Sequence, residues 1–542
     1  MAVSRTQGAI FGTDWTRAEL NQLAGLVGGT EDGVTDRNKL AVTYPVTGDE
    51  VGDIPLLTQA DVEQAVERSR AAVSEWQDIS PDERAEIFDR FAALVEQHRD
   101  ELLDLIQLET GKARQHAVEE FIDVPMTASY YAEKGPELLA DEKRAGAVPV
   151  ISRAEVTYDP VGVVGIISPW NYPFNLSMTD LLPALMAGNG VVLKPDEKTP
   201  FVALRLVELL IEAGVPEDVC IVVTGDGPVV GSALVDAVDY ITFTGSSETG
   251  RIVAEQAGRN LIDCSMELGG KNPMVVLDDA DIDLAARGAV HGCFTNAGQL
   301  CLSMERIYAR EDIFEEFLES FVAETEQLTL GGDFDYTADI GSLIDEGQLE
   351  RVANHVEDAR ERGATVHTGG RKRPDIGPLF YEPTILTDVP DDSLPACEET
   401  FGPVVRVEPV SSTGDAIEAA NDTDYGLNAS VWTADRSRGH EIARQIESGT
   451  VCVNDAYAIG WAAVDAPMGG VGDSGIGRRH GPEGLKRYVE PKTIASSALG
   501  PMNAPPAVPD SLFARGMIRS TQLLRKLKKS ARNLSVTLVR NN

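Results

Sequence analysis

Cys301 is the cysteine of this chain whose surroundings suit a nucleophile. Residues 296–299, which precede it, are small or polar and predict an accessible turn. A thiol attacks a carbonyl carbon well once it is ionised to the thiolate. A lone cysteine is more often a small buried hydrophobe, and Cys220, Cys264 and Cys452 fit that role because they lie in apolar runs. The turn therefore singles out Cys301 as a candidate for covalent catalysis.

Glu267 is a candidate general base. It ends an apolar run and stands just before the glycine pair at 269–270, a pattern typical of backbone that approaches a ligand. A carboxylate at the end of such a strand is poorly solvated, which raises its pKa and suits it to accept a proton. The alternative is an acid near a helix N-terminus.

Asn171 is a candidate hydrogen-bond donor to a developing oxyanion. It follows the apolar run 161–168, in a loop that Pro169 and Pro173 stiffen. A side-chain amide held by such a loop can stabilise negative charge that develops on a substrate oxygen. The alternative is that Asn171 only forms an Asx turn.

Two glycine-containing turns predict a dinucleotide site. Residues 223–231 and 243–250 each follow an apolar run and open a helix, so that backbone N–H groups can hold a pyrophosphate. Their glycines are Gly225, Gly227, Gly245 and Gly250, and the spacing is not G-x-G-x-x-G. Lys194 and Glu197 end another predicted strand, where both could reach ribose hydroxyls, as an acid after the second strand does in dinucleotide folds.

These residues need a scaffold that brings strand ends together. Residues 60–140 have apolar positions at helical spacing and predict helices, one of them opening at Ser80 and Pro81. Further along, apolar strands are predicted at 161–168, 190–195, 220–225, 240–245 and 262–270, with helical stretches between them. This alternation predicts an α/β fold with doubly wound parallel sheets, which binds ligands beyond the carboxyl ends of its strands. A second alternating stretch covers about 271–470, and one more strand is predicted within 485–497.

Composition narrows the class of protein. The chain has 542 residues, enough for two or three domains, and its 43% hydrophobic and 25% charged residues are ordinary for a globular protein. Its formal net charge of −40 repels phosphates, so a nucleic acid partner is not expected. Such an excess fits either a very soluble acidic enzyme or a halophilic enzyme from a high-salt cytoplasm, where counterions screen the repulsion.

Targeting and metal signals are missing from the sequence. The first residues lack an apolar signal region and no run of about 18 apolar residues occurs, so the cytoplasm is the expected location. The six cysteines lack C-x-x-C spacing and the seven histidines lack H-E-x-x-H spacing, so neither a disulfide framework nor a metal site is expected.

Residues 501–542 form a basic tail on an acidic protein. The segment holds eight lysines and arginines and one acid, Asp510, after a proline-rich linker. Its apolar residues could form one face of a basic helix: Leu512, Met517, Leu523, Leu524 and Leu527. Two interpretations stay open, a peripheral membrane or acidic-partner anchor and a mobile tail that folds back on the acidic body, and the second is favoured slightly.

Taken in order, the motifs resemble those of the aldehyde dehydrogenase superfamily over residues 40 to 497. They are SPWNYP, LKPDE, FTGSSETG, MELGGKNP, NAGQLC, EETFGPV and APMGGVGDSGIGRRHG. Glu267 and Cys301 are 34 residues apart, as the family's base and nucleophile usually are. The resemblance implies a nicotinamide cofactor, oxidation of an aldehyde to an acid, and a homodimer or homotetramer.

The resemblance also assigns roles to residues. Cys301 forms a thiohemiacetal whose oxyanion the Asn171 amide and the Cys301 N–H hold, and after oxidation Glu267 activates water to hydrolyse the thioester. Cofactor contacts are assigned to Ser168, Pro169, Trp170, Lys194, Glu197, Gly225, Gly227, Gly245, Ser246, Gly250, Glu399 and Phe401. Within these, Lys194 and Glu197 bind the adenosine ribose, and Glu399 binds the nicotinamide ribose beside Phe401.

The implied domains follow the family. Residues 1–144 and 161–266 form a dinucleotide-binding domain, and residues 267–470 form a catalytic domain. Residues 145–160 and 485–497 form oligomerisation strands.

The sequence defines the substrate and the cofactor less sharply than it defines the family resemblance. The motifs around Cys301 and near the C-terminus resemble most the second type of succinate-semialdehyde dehydrogenase. The better-known type holds the substrate carboxylate with two arginines. In the region of the first arginine this chain has Thr179 and Asp180, and in the region of the second it has Thr295. A buried carboxylate needs a partner, and the sequence identifies none. Glu197 would repel a 2′-phosphate and favours NAD, while NADP stays open because relatives of this subgroup accept it.

Rival interpretations remain at this point. They are a general aliphatic or aromatic aldehyde dehydrogenase, a coenzyme A-acylating dehydrogenase, a non-catalytic binding protein on the same fold, and a membrane-tethered scaffold suggested by the tail.

Overall fold

The computed structural model describes residues 9–13, 15–29, 38–146, 151–498, 500, 503–504 and 506–539. Parts of the predicted dinucleotide-binding segment, of the oligomerisation strands (147–150) and of the basic tail therefore lie outside the described residues. The chain divides into two units, one of Met1–Leu139 and Asp159–Glu490 and one of Ala140–Tyr158 and Pro491–Asn542. Within the described ranges, no helix has the length and apolarity that crossing a bilayer requires.

The helices, in chain order, are α1 (Arg17–Ala24), α2 (Gln59–Asp78), α3 (Pro81–Gln97), α4 (Arg99–Thr110), α5 (Arg114–Leu138), α6 (Pro173–Met186), α7 (Pro200–Ala213), α8 (Ser232–Ala237), α9 (Ser247–Asn260), α10 (Ile282–Phe294), α11 (Phe314–Thr325), α12 (Glu346–Glu361), α13 (Leu394–Cys397), α14 (Thr413–Asn421), α15 (Arg436–Ala443), α16 (Ala458–Trp461), α17 (Gly481–Lys486) and α18 (Asp510–Val539).

The strands are β1 (Lys39–Thr43), β2 (Glu50–Pro55), β3 (Glu142–Arg144), β4 (Ser152–Pro160), β5 (Val163–Ile167), β6 (Gly190–Lys194), β7 (Cys220–Val222), β8 (Tyr240–Thr244), β9 (Asp263–Glu267), β10 (Asn272–Val276), β11 (Met304–Arg310), β12 (Thr365–Thr368), β13 (Thr384–Thr387), β14 (Val404–Val410), β15 (Tyr425–Gly426), β16 (Asn428–Trp432), β17 (Thr450–Val453), β18 (Val471–Gly472), β19 (Gly475–Ile476) and β20 (Val489–Ser497).

The helices predicted within 60–140 are confirmed as α2 to α5. At the predicted opening of α3, Ser80 and Glu83 form a reciprocal cap: the Glu83 N–H donates to Ser80 Oγ at 3.3 Å, and the Ser80 N–H donates to Glu83 Oε2 at 2.9 Å. Pro81 follows the cap because the first helical position needs no N–H donor.

A six-stranded sheet carries the predicted dinucleotide segment. Its order is β19-β9-β8-β5-β6-β7, and its strands pair in parallel except β19 with β9. The predicted apolar strands are confirmed as β5 to β9, and β6, β7 and β8 are buried throughout because helices cover both faces. The chain reverses its winding between β5 and β8, so the loops after these two strands form the crevice where such sheets bind ligands.

A seven-stranded sheet follows in the order β12-β13-β14-β11-β10-β16-β17, with parallel pairing except for the edge pair β12 and β13. The doubly wound α/β prediction is therefore confirmed. The strands of this sheet all fall within the predicted catalytic segment, whereas β19 of the first sheet comes from residues beyond it. The predicted domain boundaries themselves stay a prediction.

The second unit contains a small sheet and the tail. β20, β4 and β3 form a three-stranded sheet, with β3 antiparallel to β4, and residues 490–497 of β20 are exposed. The helix predicted in the basic tail is confirmed as part of α18, in which Leu512, Ile518 and Leu523 are more than half exposed.

Candidate active site

Two cavities, of about 270 and 200 Å³, meet at Cys301. The first, called the sheet-edge cavity, lies where β5, β8 and β9 end and is lined by Asn171, Gly245, Glu267 and Glu399 among others. The second, called the α5 cavity, is lined by residues 119–126 of α5 together with residues of α6 and the segment before and within α16. Cys301 lines both, so its thiol can face ligands that approach from two sides.

The structure brings together most of the residues predicted from sequence. The sheet-edge cavity is lined by the predicted residues Pro169, Trp170, Asn171, Gly245, Ser246, Glu267, Cys301, Glu399 and Phe401. The remaining predicted residues do not line it: Ser168, Lys194, Glu197, Gly225, Gly227 and Gly250. Lys194 and Glu197 do lie side by side after β6, with 3.4 Å between Nζ and Oε2. Their assigned contacts with the cofactor stay predictions.

A strained loop presents Cys301. Asn296 and Ala297 adopt left-handed backbone with φ of 53° and 54°, which costs free energy in residues other than glycine and persists only where surroundings enforce it. Gly298 is also left-handed, and a Cβ there would lie 2.1 Å from the carbonyl oxygen of Gly402, so the turn requires glycine. The predicted turn exists, and the side chain of Cys301 at its end is partly buried.

Hydrogen bonds hold this loop in place. The Asn296 N–H donates to His116 Nδ1 at 3.1 Å, and its side-chain amide donates to the carbonyl oxygen of Asn171 at 3.0 Å. Gln299 donates from Nε2 to the carbonyl of Asn296 and accepts the N–H of Ile344 at 2.9 Å. These hydrogen bonds therefore fix the position of Asn171, the candidate donor to an oxyanion, relative to the loop that carries Cys301.

The thiol of Cys301 is protonated in this site. Burial, together with the negative charges of Glu399 and Glu267, raises its pKa to about 12. Attack on a carbonyl carbon therefore requires a base to take the thiol proton as the new bond forms, or a cation placed beside the sulfur.

Glu267 has the environment predicted for a base. It is the last residue of β9, is 4% exposed, and neither of its carboxylate oxygens has a hydrogen-bond partner among the described residues. Burial raises its pKa to about 7, although Arg479 and Arg487 lower it in part. The raised pKa confirms the sequence-based argument, since a carboxyl group that titrates near neutrality can both accept and return a proton.

Asn171 is fixed at the start of the segment that leads into α6. Its side-chain Nδ2 donates to the carbonyl of Gln299 at 3.1 Å, and its own carbonyl accepts Lys112 Nζ at 2.8 Å. An amide has two N–H bonds, so one remains to donate to an oxygen in the cavity. This arrangement suits a preorganised oxyanion donor.

The sheet-edge cavity has the features of a dinucleotide site. Ser246 caps the start of α9, whose free N–H groups can bind an anion, as helix N-termini commonly do. Glu399 accepts the Gly270 N–H through Oε1 at 2.9 Å, and a Cβ on Gly269 would lie 2.4 Å from its other oxygen, so the carboxylate packs closely against this glycine. Trp170 and Phe401 meet edge to face at 5.5 Å and supply an apolar wall.

Sequence reasoning missed the buried ion pairs that support the site. Lys112 pairs with Glu120 at 2.5 Å, and Lys271 pairs with Glu305 at 2.5 Å, all four side chains being almost fully buried. Glu305 also accepts the N–H groups of Thr400 and Phe401, which fixes the loop that carries Glu399. No local pattern signals these pairs because the partners come from different elements.

Asp180, which stands in the region where the better-known type of enzyme has an arginine, has a clear structural role. Its carboxylate is buried on α6 and pairs with Arg479 at 2.7 Å and with Arg487. Burial opposes ionisation, but the two guanidinium groups hold the pKa of Asp180 below its ordinary value. The same arginines are the cations that lower the pKa of Glu267 in part. Asp180 therefore balances their charge beside the general-base candidate.

Comparisons with known proteins define the class. The model of the aldehyde dehydrogenase family matches residues 33–494. A protein of Mycolicibacterium smegmatis named "Putative succinate-semialdehyde dehydrogenase [NADP(+)]" is 49% identical over 481 residues, which are 89% of this chain and 93% of that protein. The succinate-semialdehyde dehydrogenase [NADP(+)] GabD of Escherichia coli is 37% identical over 453 residues, which are 83% of this chain and 93% of that protein.

Two solved structures have the same fold as this chain. An NADP-dependent enzyme of E. coli superposes with a TM-score of 0.83 at 36% identity, covering 87% of this chain and 97% of the other. A betaine aldehyde dehydrogenase of Staphylococcus aureus in complex with NAD+ superposes with a TM-score of 0.84 at 30% identity, covering 91% and 99%. The chain therefore belongs to the aldehyde dehydrogenase family, whose members are oxidoreductases that act on aldehydes.

Proposed function

We propose that this chain oxidises an aldehyde to a carboxylic acid with NAD+ or NADP+ through a covalent intermediate on Cys301. The observation that carries the proposal is the position of Cys301 at the meeting of two cavities, with Glu267 and Asn171 lining the same cavity as its thiol. A thiol that lines both cavities can bond to a carbonyl carbon on one side while the acceptor of two electrons lies on the other.

Cys301, Asn171 and Glu267 would each have a different role in the reaction. Cys301 attacks the aldehyde carbon as its thiol proton passes to solvent water, and the oxyanion of the resulting thiohemiacetal accepts hydrogen bonds from Asn171 Nδ2 and the Cys301 N–H. A bound nicotinamide cofactor supplies the acceptor for the two electrons that leave with the C–H bond. Glu267 then takes a proton from water, which attacks the thioester and releases the acid.

The proposed cofactor contacts follow the sheet-edge cavity. Ser246 and Gly245 would hold the pyrophosphate at the start of α9, and Glu399 would accept ribose hydroxyls. Pro169, Trp170 and Phe401 would pack on the nicotinamide half. The remaining predicted contacts are the adenosine-side residues Lys194 and Glu197 and the flanking positions Ser168, Gly225, Gly227 and Gly250.

The choice between NAD and NADP rests on one charge. Glu197 after β6 would repel a 2′-phosphate, which favours NAD. The names of the relatives from M. smegmatis and E. coli point instead to NADP(+). NAD therefore remains the proposal from this chain's own residues, with NADP as the alternative.

The names of the same relatives suggest succinate semialdehyde as substrate, and a general aliphatic or aromatic aldehyde is the alternative. A coenzyme A-acylating reaction is disfavoured because such enzymes generally lack a base at the position of Glu267. A non-catalytic protein would have no need of Cys301, Glu267 and Asn171 together.

The setting of the enzyme is proposed from charge and exposed surfaces. The net charge of −40 supports a salt-rich cytoplasm, in which counterions screen self-repulsion. The exposed strand β20 supports a homodimer or homotetramer formed through the small sheet. For α18, folding back on the acidic body is favoured over binding a membrane surface.

A panel of aldehydes tests the proposal. Formation of reduced cofactor is measured at 340 nm with NAD+ and with NADP+, with and without coenzyme A, at low and multimolar salt. We expect turnover that is independent of coenzyme A and absent in Cys301→Ser. If no aldehyde reduces either dinucleotide at any salt concentration, or if turnover requires coenzyme A, the proposed function is wrong.

A further inference from the structure

The α5 cavity has an unusual balance of charge for a site assigned to an anionic substrate. It is lined by three carboxylate side chains, those of Glu119, Glu120 and Asp123. Among the described residues, no lysine, arginine or histidine lines it. The rest of its lining is mainly apolar, with Tyr172 and Trp461 as its largest side chains. A ligand that enters from this side therefore meets apolar surface and carboxylates.

The cations nearest to these carboxylates already have partners. Lys112 Nζ donates to Glu120 and to the carbonyl of Asn171, and it lies 3.8 Å from the centre of the Tyr172 ring. His291 Nε2 lies 3.1 Å from Glu119, whose other oxygen accepts the hydroxyl of Tyr457 at 2.9 Å. Lys112 and His291 are thus each paired with one carboxylate, so neither is free to hold a carboxylate of a substrate.

Asp123 adds a carboxylate that forms no ion pair within the described part of the chain, and because burial raises its pKa to about 7, it is mainly ionised above that pH. One oxygen accepts the indole N–H of Trp461 at 2.9 Å, and the other has no partner among the described residues, while the side chain is 3% exposed. A carboxylate on the substrate would be desolvated beside it, and the hydroxyl of Tyr172 in the same lining, which is hydrogen-bonded to none of the described residues, is a neutral donor that does not balance its charge.

We infer that the α5 cavity selects uncharged aldehydes with an apolar or aromatic tail and discriminates against aldehydes that carry a carboxylate. The inference rests on the proposed function, because it takes Cys301 as the nucleophile that the substrate reaches through this cavity. It assigns Asp123 a role in substrate specificity, in which its negative charge repels a negative charge on the tail of the substrate.

Alkylation of Cys301 tests the charge of the cavity without any turnover. Iodoacetamide and iodoacetate have similar size and react with the same thiol, but only iodoacetate is negatively charged. Modification rates are measured peptide by peptide by mass spectrometry at pH 8.5, above the raised pKa of Asp123, in 0.5 M KCl, where potentials from exposed charges are largely screened. The exposed Cys397 of the same molecule serves as the reference.

We expect the ratio of iodoacetamide to iodoacetate rates at Cys301 to exceed the ratio at Cys397 by about tenfold, since like charges in a desolvated site repel strongly. Asp123→Asn keeps an acceptor for the Trp461 N–H and removes the charge, so it should shrink this excess severalfold. Glu133→Gln, at an exposed position of the same helix, should leave it unchanged. Equal ratios at Cys301 and Cys397 would overturn the inference, as would an excess that Asp123→Asn does not alter.

Kinetics with a matched pair of substrates complete the test. Succinate semialdehyde and its methyl ester have the same chain and differ mainly in charge. We expect kcat/KM for the ester to exceed that for the acid by about tenfold, and Asp123→Asn to narrow the gap. A preference for the acid would overturn the inference while leaving the proposed function intact. If neither compound nor any other aldehyde is oxidised, the proposed function fails, and the alkylation ratios still decide the charge of the cavity.

Discussion

The two cavities that meet at Cys301 are similar in volume and differ in construction. The sheet-edge cavity is lined mainly by residues at and after the ends of β5, β8 and β9, with Glu267, Glu399 and Arg351 as its charged groups. The α5 cavity is lined by residues of helices and loops, which are mainly apolar and include three carboxylates. The difference indicates that a common chemistry is encoded in strand ends, whereas the choice of substrate is encoded in side chains that can vary without disturbing the sheet.

The largest effect is expected at the thiol that both cavities share. Cys301→Ser should lower kcat/KM by about 10³-fold or more, because a hydroxyl is a far weaker nucleophile than a thiol without a stronger base. Dinucleotide binding, measured by fluorescence titration, should change little because the sheet-edge cavity keeps its other residues. Cys397→Ser, at an exposed position, is the matched control and should retain activity. Substantial turnover by Cys301→Ser would remove the covalent step from the account.

Glu267→Gln is expected to separate the two halves of the reaction. Its steady-state rate should fall by about 10²-fold or more, which is the usual contribution of a general base. If a burst of reduced cofactor near one equivalent per site precedes the slow phase in stopped-flow traces, acyl-enzyme formation survives and hydrolysis is impaired. A variant that turns over at the rate of the parent enzyme would show that Glu267 is not the base.

The pH profile should report the same carboxyl group. Glu267 is active as a base when deprotonated, and its pKa is raised to about 7 by burial. Hydrolysis of the acyl-enzyme should therefore be fast above pH 7 and fall by about tenfold per pH unit below it. Single-turnover rates across pH 5.5 to 8.5 measure this, and a hydrolysis rate that is flat over this range would contradict the assignment.

The smallest effect is expected at Glu197, which follows β6 and does not line the sheet-edge cavity. Glu197→Ala removes a negative charge beside Lys194 and should raise the kcat/KM ratio of NADP+ to NAD+ by about tenfold or less, as expected for one partly exposed charge. Glu212→Ala, an exposed acid on α7, is the control. An unchanged ratio in Glu197→Ala would count against a ribose contact at this position.

Sequence patterns predicted the sheet-edge side of the molecule well. Strand ends, glycine turns and short motifs are local, so the fold class, the strands β5 to β9 and the residues from Asn171 to Phe401 around the cavity could be inferred from the chain alone. The raised pKa of Glu267 followed from the same local argument, since its strand is apolar. The sequence did not predict the raised pKa of Cys301, which depends on burial in the folded chain and on the charges of Glu399 and Glu267 from distant segments.

The α5 side could not be predicted in the same way. Asp123 and Trp461 are 338 residues apart, and so are Glu119 and Tyr457, yet each pair is joined by a hydrogen bond. The role of Asp180 likewise depends on Arg479 and Arg487 from the far end of the chain. Contacts of this kind are products of the tertiary fold, and a single sequence carries no local signal for them.

The claim on which the account depends is that the substrate becomes bonded to the sulfur of Cys301. Mass spectrometry of Glu267→Gln, quenched with acid during the burst with aldehyde and dinucleotide, tests it directly. The account predicts one acyl group per chain, located on the peptide that contains Cys301 and removed by hydroxylamine. A burst of reduced cofactor with no adduct, or with an adduct on another residue, would contradict it.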